Sequence, residues 1–81
     1  MDTQNYLVII EPSDTGFGAY VPDVPGCIAT GSTREEVERL IQEALEFHFE
    51  GMLESGQHVP PPVSQAVAVA IAVRVPAAST G

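Results

Sequence analysis

The stretch Cys27-Ile28-Ala29-Thr30-Gly31-Ser32-Thr33-Arg34-Glu35-Glu36-Val37 decides the fold, because the chain changes its period inside it. Cys27 to Thr30 reads as a short strand closed by Gly31. Ser32 and Thr33 are both good helix N-caps. Each has a glutamate three residues on, Glu35 and Glu36, so either forms a capping box. Downstream the spacing predicts a helix over about residues 33–54. Val37, Ile41, Ala44, Leu45, His48 and Met52 fall on one side of it at the helical period. Glu36, Arg39, Glu43, Glu46, Glu50 and Glu54 fall on the other. Gly56 is the natural residue to end the helix. Gly51 is an interior glycine that costs up to about 1 kcal/mol relative to alanine, which suggests a close contact at that turn. Leu40 and Phe47 on one flank and Phe49 on the other widen the apolar stripe to roughly twice what a core-facing helix needs. The surplus points to another subunit, with Phe47 and Phe49 at the interface.

Upstream, residues 6–11 form an apolar, β-branched run ended by Pro12 and the turn-rich Ser13-Asp14-Thr15-Gly16. Residues 17–21 follow as a second strand with Phe17, Ala19 and Val21 on one face. Pro22-Asp23-Val24-Pro25-Gly26 is a turn, since two prolines and a glycine cannot continue a ladder. Beyond the helix, Pro60-Pro61-Pro62 is a stiff connector. In residues 67–75, Val67, Val69, Ile71, Val73 and Val75 alternate mostly with alanines, the period of a strand. Both of its faces are apolar, so it is expected inside the sheet or at a subunit interface, through Val69 and Ile71. The last residues, Pro76 to Gly81, are expected to fray. The order β-β-β-α-β describes one α+β domain over residues 1–81, a two-layer sandwich with one helix on the sheet. The last strand would run parallel beside the first.

The chain has 81 residues, 11 acids, three arginines and no lysine, for a formal net charge of -8. That balance argues against direct nucleic-acid contact, which needs clustered basic residues, and permits a basic partner. A domain this small has a marginal core and gains from oligomerisation, because its single cysteine cannot form an internal disulfide. No apolar run approaches a membrane span, and Met1 to Asn5 lack the pattern of a targeting peptide, so a cytoplasmic location is expected.

Four segments together resemble the HicB-like antitoxin family. They are Phe17-Gly18-Ala19-Tyr20-Val21-Pro22-Asp23-Val24-Pro25-Gly26-Cys27, the cap Thr30 to Glu36, the helix core Glu43-Ala44-Leu45-Glu46-Phe47-His48-Phe49-Glu50-Gly51-Met52, and Gly56 to Pro62. The resemblance covers roughly Tyr6 to Val63. It implies a partial ribonuclease-H-like sheet without the nuclease's catalytic carboxylates. It also implies binding to HicA, a small basic toxin that cleaves messenger RNA. Many members add a C-terminal DNA-binding module, and the expectation here is a stand-alone N-terminal domain without one.

The residues themselves leave several readings. Glu43, Glu46, Glu50 and Glu54 are either a solvated helix face or a stripe that complements a basic toxin. Glu35 and Arg39 are the expected ion pair on that face. The turn from Tyr20 to Gly26 is either structural or presents Tyr20 and Asp23 to a partner. His48 is expected to be a packed core or interface residue, and neither it nor His58 has partners at ligand spacing for zinc. Cys27 lacks the base and electropositive setting of a nucleophile and reads as a small core residue. No carboxylate cluster suited to Mg²⁺ lies on the strands. The expectation is therefore a non-enzymatic, cofactor-free protein that neutralises a small basic toxin and forms a dimer or larger assembly. The alternative is an orphan oligomeric scaffold of the same fold with an unrelated protein or small-molecule partner.

Overall fold

A computed structural model describes residues 3–76. It has three strands and one helix: β1 (Ile9–Ser13), β2 (Gly16–Tyr20), β3 (Ile28–Gly31) and α1 (Arg34–Glu54). The strands form one antiparallel sheet in the order β1-β2-β3. Cross-strand rows alternate between the two sides of the sheet. Ile10, Ala19 and Ala29 make one row and Ile9, Tyr20 and Ile28 the next. The first row faces α1 and joins the core with Phe17, Val37, Ile41, Ala44, Leu45 and Phe49. The α+β architecture expected from the period change is present.

The boundaries shift for identifiable reasons. β1 starts at Ile9, not Tyr6, because its partner β2 ends at Tyr20, where Val21-Pro22 turns away. Tyr6 and Val8 still alternate toward the core, without a ladder. Pro12 lies inside β1, opposite Phe17, which an edge strand tolerates. Val24 N–H donates to Val21 C=O at 3.0 Å and Cys27 N–H to Val24 C=O at 3.2 Å. These are two successive turns, each with proline at its second position. They send Val21, Val24 and Cys27 into the core.

Thr33 is the N-cap: its Oγ1 accepts from Glu36 N–H at 3.1 Å. Glu36 Oε1 reaches back to Ser32 N–H at 2.6 Å, one residue before the cap. At the other end Gly56 has φ 75°. Gln57 N–H donates to Met52 C=O at 2.8 Å and Gly56 N–H to Leu53 C=O at 3.1 Å, a Schellman closure that needs a left-handed residue at Gly56. No close contact explains Gly51, contrary to expectation: a Cβ there would meet nothing within 4 Å.

The fourth strand does not form within the chain. Residues 57–76 carry no regular secondary structure, and Val67, Val69, Ile71, Val73 and Val75 are exposed. The radius of gyration is 17.2 Å and the long axis 58 Å, where a folded chain of this length would have a radius of about 12 Å. A strand needs a ladder partner, and residues 67–75 pair with none in the described sheet, which ends at β1. The Asp23 carboxylate holds Val63 and Ser64 at the β2–β3 connection just before them. Of the expected frayed terminus, all but Pro76 lies outside the described residues.

Candidate functional site: the outer face of the helix

The buried side of α1 centres on Val37, fully enclosed, and Ile41. Turning 100° per residue from there, Glu50 lies diametrically opposite. Glu43, Glu46, Phe47 and Glu54 fall within about 60° of it on the same side. All five are exposed, and Phe47 shows 79% of its surface to solvent. The face is therefore an aromatic ring standing among four carboxylates, with exposed Gly51 one turn beyond Phe47. Arg39 joins it by an ion pair to Glu43 at 3.5 Å. This pair replaces the expected one between Glu35 and Arg39. Both side chains are more than half exposed, so the pair contributes little to stability. It offsets one charge of the patch and leaves Glu46, Glu50 and Glu54 uncompensated by any described ion pair.

This arrangement joins residues that the sequence reading had assigned separately. Phe47 was expected at an oligomer interface and the glutamates at a partner surface, yet they share one face. Phe49, expected beside Phe47 at an interface, is half-buried within the chain. Its ring lies 5.1 Å from that of Tyr6, tilted by 50°, a favourable aromatic geometry. Tyr6 Oη also donates to the Pro60 carbonyl, so one tyrosine ties the start of the chain to both the helix and the proline connector.

Asp23 is engaged inside the chain as well. Its Oδ2 accepts from Val63 N–H at 3.0 Å and Ser64 N–H at 2.9 Å, and its Oδ1 from Ser64 Oγ–H at 2.7 Å. The Ser64 N–H, then the Ser64 hydroxyl and the Val63 N–H, hold its pKa below the ordinary 3.8. A carboxylate so occupied is a clamp on the chain, so the turn is structural at Asp23. Ser64 gave no sequence signal, since its partner lies 41 residues away. Tyr20 is exposed on the side of the sheet away from α1, in the row with Ile9 and Ile28. That row lies beside an open depression lined also by Glu11 and Thr30.

The nucleophile and metal candidates gain nothing from the geometry. Cys27 is buried, and desolvation pushes its thiol pKa up, away from the reactive thiolate. His48 is half-buried on the core side of α1, at an angle between those of Val37 and Ile41. Among the described residues no three His, Cys, Asp or Glu side chains group as metal ligands, and no helix is long and apolar enough to cross a membrane.

Comparison with known proteins agrees with this architecture. Residues 6–73 match a family model described as the HicB-like antitoxin of bacterial toxin–antitoxin systems. An uncharacterized 14.9 kDa protein from the rep-hol intergenic region of Haemophilus phage HP1 is 44% identical over 55 residues, 68% of this chain and 41% of the phage protein. Antitoxin HicB 2 of Photorhabdus laumondii is 35% identical over 72 residues, 89% of this chain and 50% of that protein. A UPF0150 protein of Synechocystis is 39% identical over 57 residues, 69% of this chain and 72% of that protein. The chain thus spans half or less of the phage protein and of Antitoxin HicB 2. Among solved structures, a chain of a HicA3 and HicB3 toxin–antitoxin complex superposes with a TM-score of 0.65 at 32% identity. The match covers 73% of this chain and 70% of that one.

Proposed function

The chain belongs to the HicB-like antitoxin family, and from that membership we propose that it neutralises a small basic HicA-type, messenger-RNA-cleaving toxin through the outer face of α1. The observation that carries this reading is Phe47, 79% exposed and surrounded by Glu43, Glu46, Glu50 and Glu54. An exposed aromatic in a ring of like charge suits a partner with an apolar notch rimmed by lysine and arginine. The aromatic supplies binding energy once water is excluded, and the charges supply orientation and on-rate. The solved HicA3–HicB3 complex of a relative supports a toxin of this kind as the partner. In this reading the chain works in the cytoplasm without catalysis of its own, and it acts by occluding the toxin's active site.

The test is titration of the purified chain into the small basic toxin encoded nearest to its gene, followed by calorimetry and an RNA-cleavage assay. The expected result is a complex that suppresses cleavage. Phe47→Ala should weaken it by about 1–2 kcal/mol, or roughly 5–30-fold. Replacing Glu46, Glu50 and Glu54 together with glutamine should slow association and flatten its salt dependence. A complex of unchanged affinity in the Phe47 variant would remove the outer helix face from the account. Failure of any neighbouring basic protein to bind would remove the antitoxin reading.

A further inference from the structure

The five large apolar side chains at Val67, Val69, Ile71, Val73 and Val75 are 68–83% exposed. They belong to a segment with the alternation of a strand that follows the clamp at Asp23. Five such side chains left in water forgo the hydrophobic stabilisation of burial, and a bare strand of this composition is an aggregation hazard. The three-stranded sheet, for its part, ends on β1 with an open edge. That edge continues through Tyr6, Leu7 and Val8, which are half-buried and outside any ladder. β3 is the poorer edge. It has four residues, and it closes against the helix cap, where a Cβ on Gly31 would lie 2.8 Å from Glu36 Oε1.

We infer that residues 66–75 of one chain complete the sheet of a second copy, pairing along the free edge of its β1, and that the exchange is reciprocal. Three observations select another copy as the occupant. The segment and the edge from Tyr6 to Ser13 match in length to within two residues. The segment forms no ladder with its own β1, which leaves both free for exchange between copies. Charge is also complementary. All 11 acids lie within residues 1–58, which carry a formal -9 with Arg34 and Arg39, whereas residues 59–76 hold no acid and one arginine, Arg74. A second acidic body therefore does not repel this segment as it repels residues 1–58. Pairing satisfies backbone groups on both partners and covers one face of the strand, the mode of β-strand addition made two-fold. The inference stands independently of any toxin.

The test is light scattering of the full chain at micromolar concentration, with hydrogen exchange read by mass spectrometry. The expected mass is twice that of one chain, with residues 67–75 and the β1 edge protected, and with protection lost on dilution. The double variant Val69→Pro, Ile71→Pro removes ladder donors from a segment whose large side chains are exposed in the single chain. It should therefore be monomeric, with an unchanged helix signal in circular dichroism. A monomeric full chain would overturn the inference. So would a proline variant that remains dimeric, or a dimer broken by Phe47→Ser and not by the prolines. Protection of residues 67–75 that does not depend on concentration would also overturn it, since it would mean the strand folds onto its own sheet.

Discussion

Gly16 and Gly51 test the packing from opposite directions. Gly16 opens β2, and a Cβ there would lie 2.2 Å from the Gly31 carbonyl oxygen and 3.0 Å from Ser32 Cα. Those atoms are the end of β3 and the residue before the helix cap, so they are backbone and cannot swing aside. Restoring contact distance requires a shift on the order of 1 Å where strand meets helix, and overpacking of this kind costs about 1–3 kcal/mol. The φ of Gly16, 156°, adds a smaller cost for a residue with a side chain. Against a total stability of about 4–12 kcal/mol for a chain of this length, Gly16→Ala removes a large fraction. Gly51 is the contrast. It lies inside α1 with nothing within 4 Å of its would-be Cβ, so Gly51→Ala should gain up to about 1 kcal/mol of helix propensity. Urea unfolding followed by the helix signal, at one fixed protein concentration, reads both. With a slope of about 1 kcal/mol per molar, the midpoint should fall by about 1–3 M for Gly16→Ala and rise by up to about 1 M for Gly51→Ala. An unchanged midpoint for Gly16→Ala would refute the close approach of β2 to the strand–helix junction.

Three further predictions follow from single contacts. Thr33→Ala should cost about 1 kcal/mol by removing the Oγ1 acceptor of Glu36 N–H. In a double-mutant cycle it should couple to Glu36→Ala, because the two side chains close one cap; additive losses would contradict this. Asp23 has its folded pKa depressed below 3.8 by its hydrogen bonds to Ser64 and Val63. Its contribution is therefore complete above the unfolded value and lost as pH falls through the folded one. Amide resonances of Val63 and Ser64 should move together with that titration and shift permanently in Asp23→Asn, and resonances indifferent to both would dissolve the clamp. Burial raises the Cys27 thiol pKa, so a thiol reagent at neutral pH should modify it far more slowly in the native chain than in denaturant; equal rates would place Cys27 outside the core.

Local rules written in short stretches determined most of the body. The switch of apolar period at Gly31-Ser32-Thr33 sets three strands before one helix. Thr33 with Glu36 starts that helix and Gly56 ends it, since caps depend on neighbours three or four residues away. The acidic stripe from Glu43 to Glu54 was equally legible, because helical spacing alone puts those residues on one face. Other features needed partners distant in sequence. Whether Phe47 or Phe49 faced solvent depended on the arrival of Tyr6, which took Phe49 into the chain. Whether Asp23 was a partner contact or a clamp depended on Ser64, whose only signal is proximity in space. The alternation in residues 67–75 is the pattern of a strand, but a strand is a property of two segments, and none forms there. Only the tertiary structure decided that the chain's own β1 is not the second one, because the described sheet ends at β1 with no fourth strand beside it.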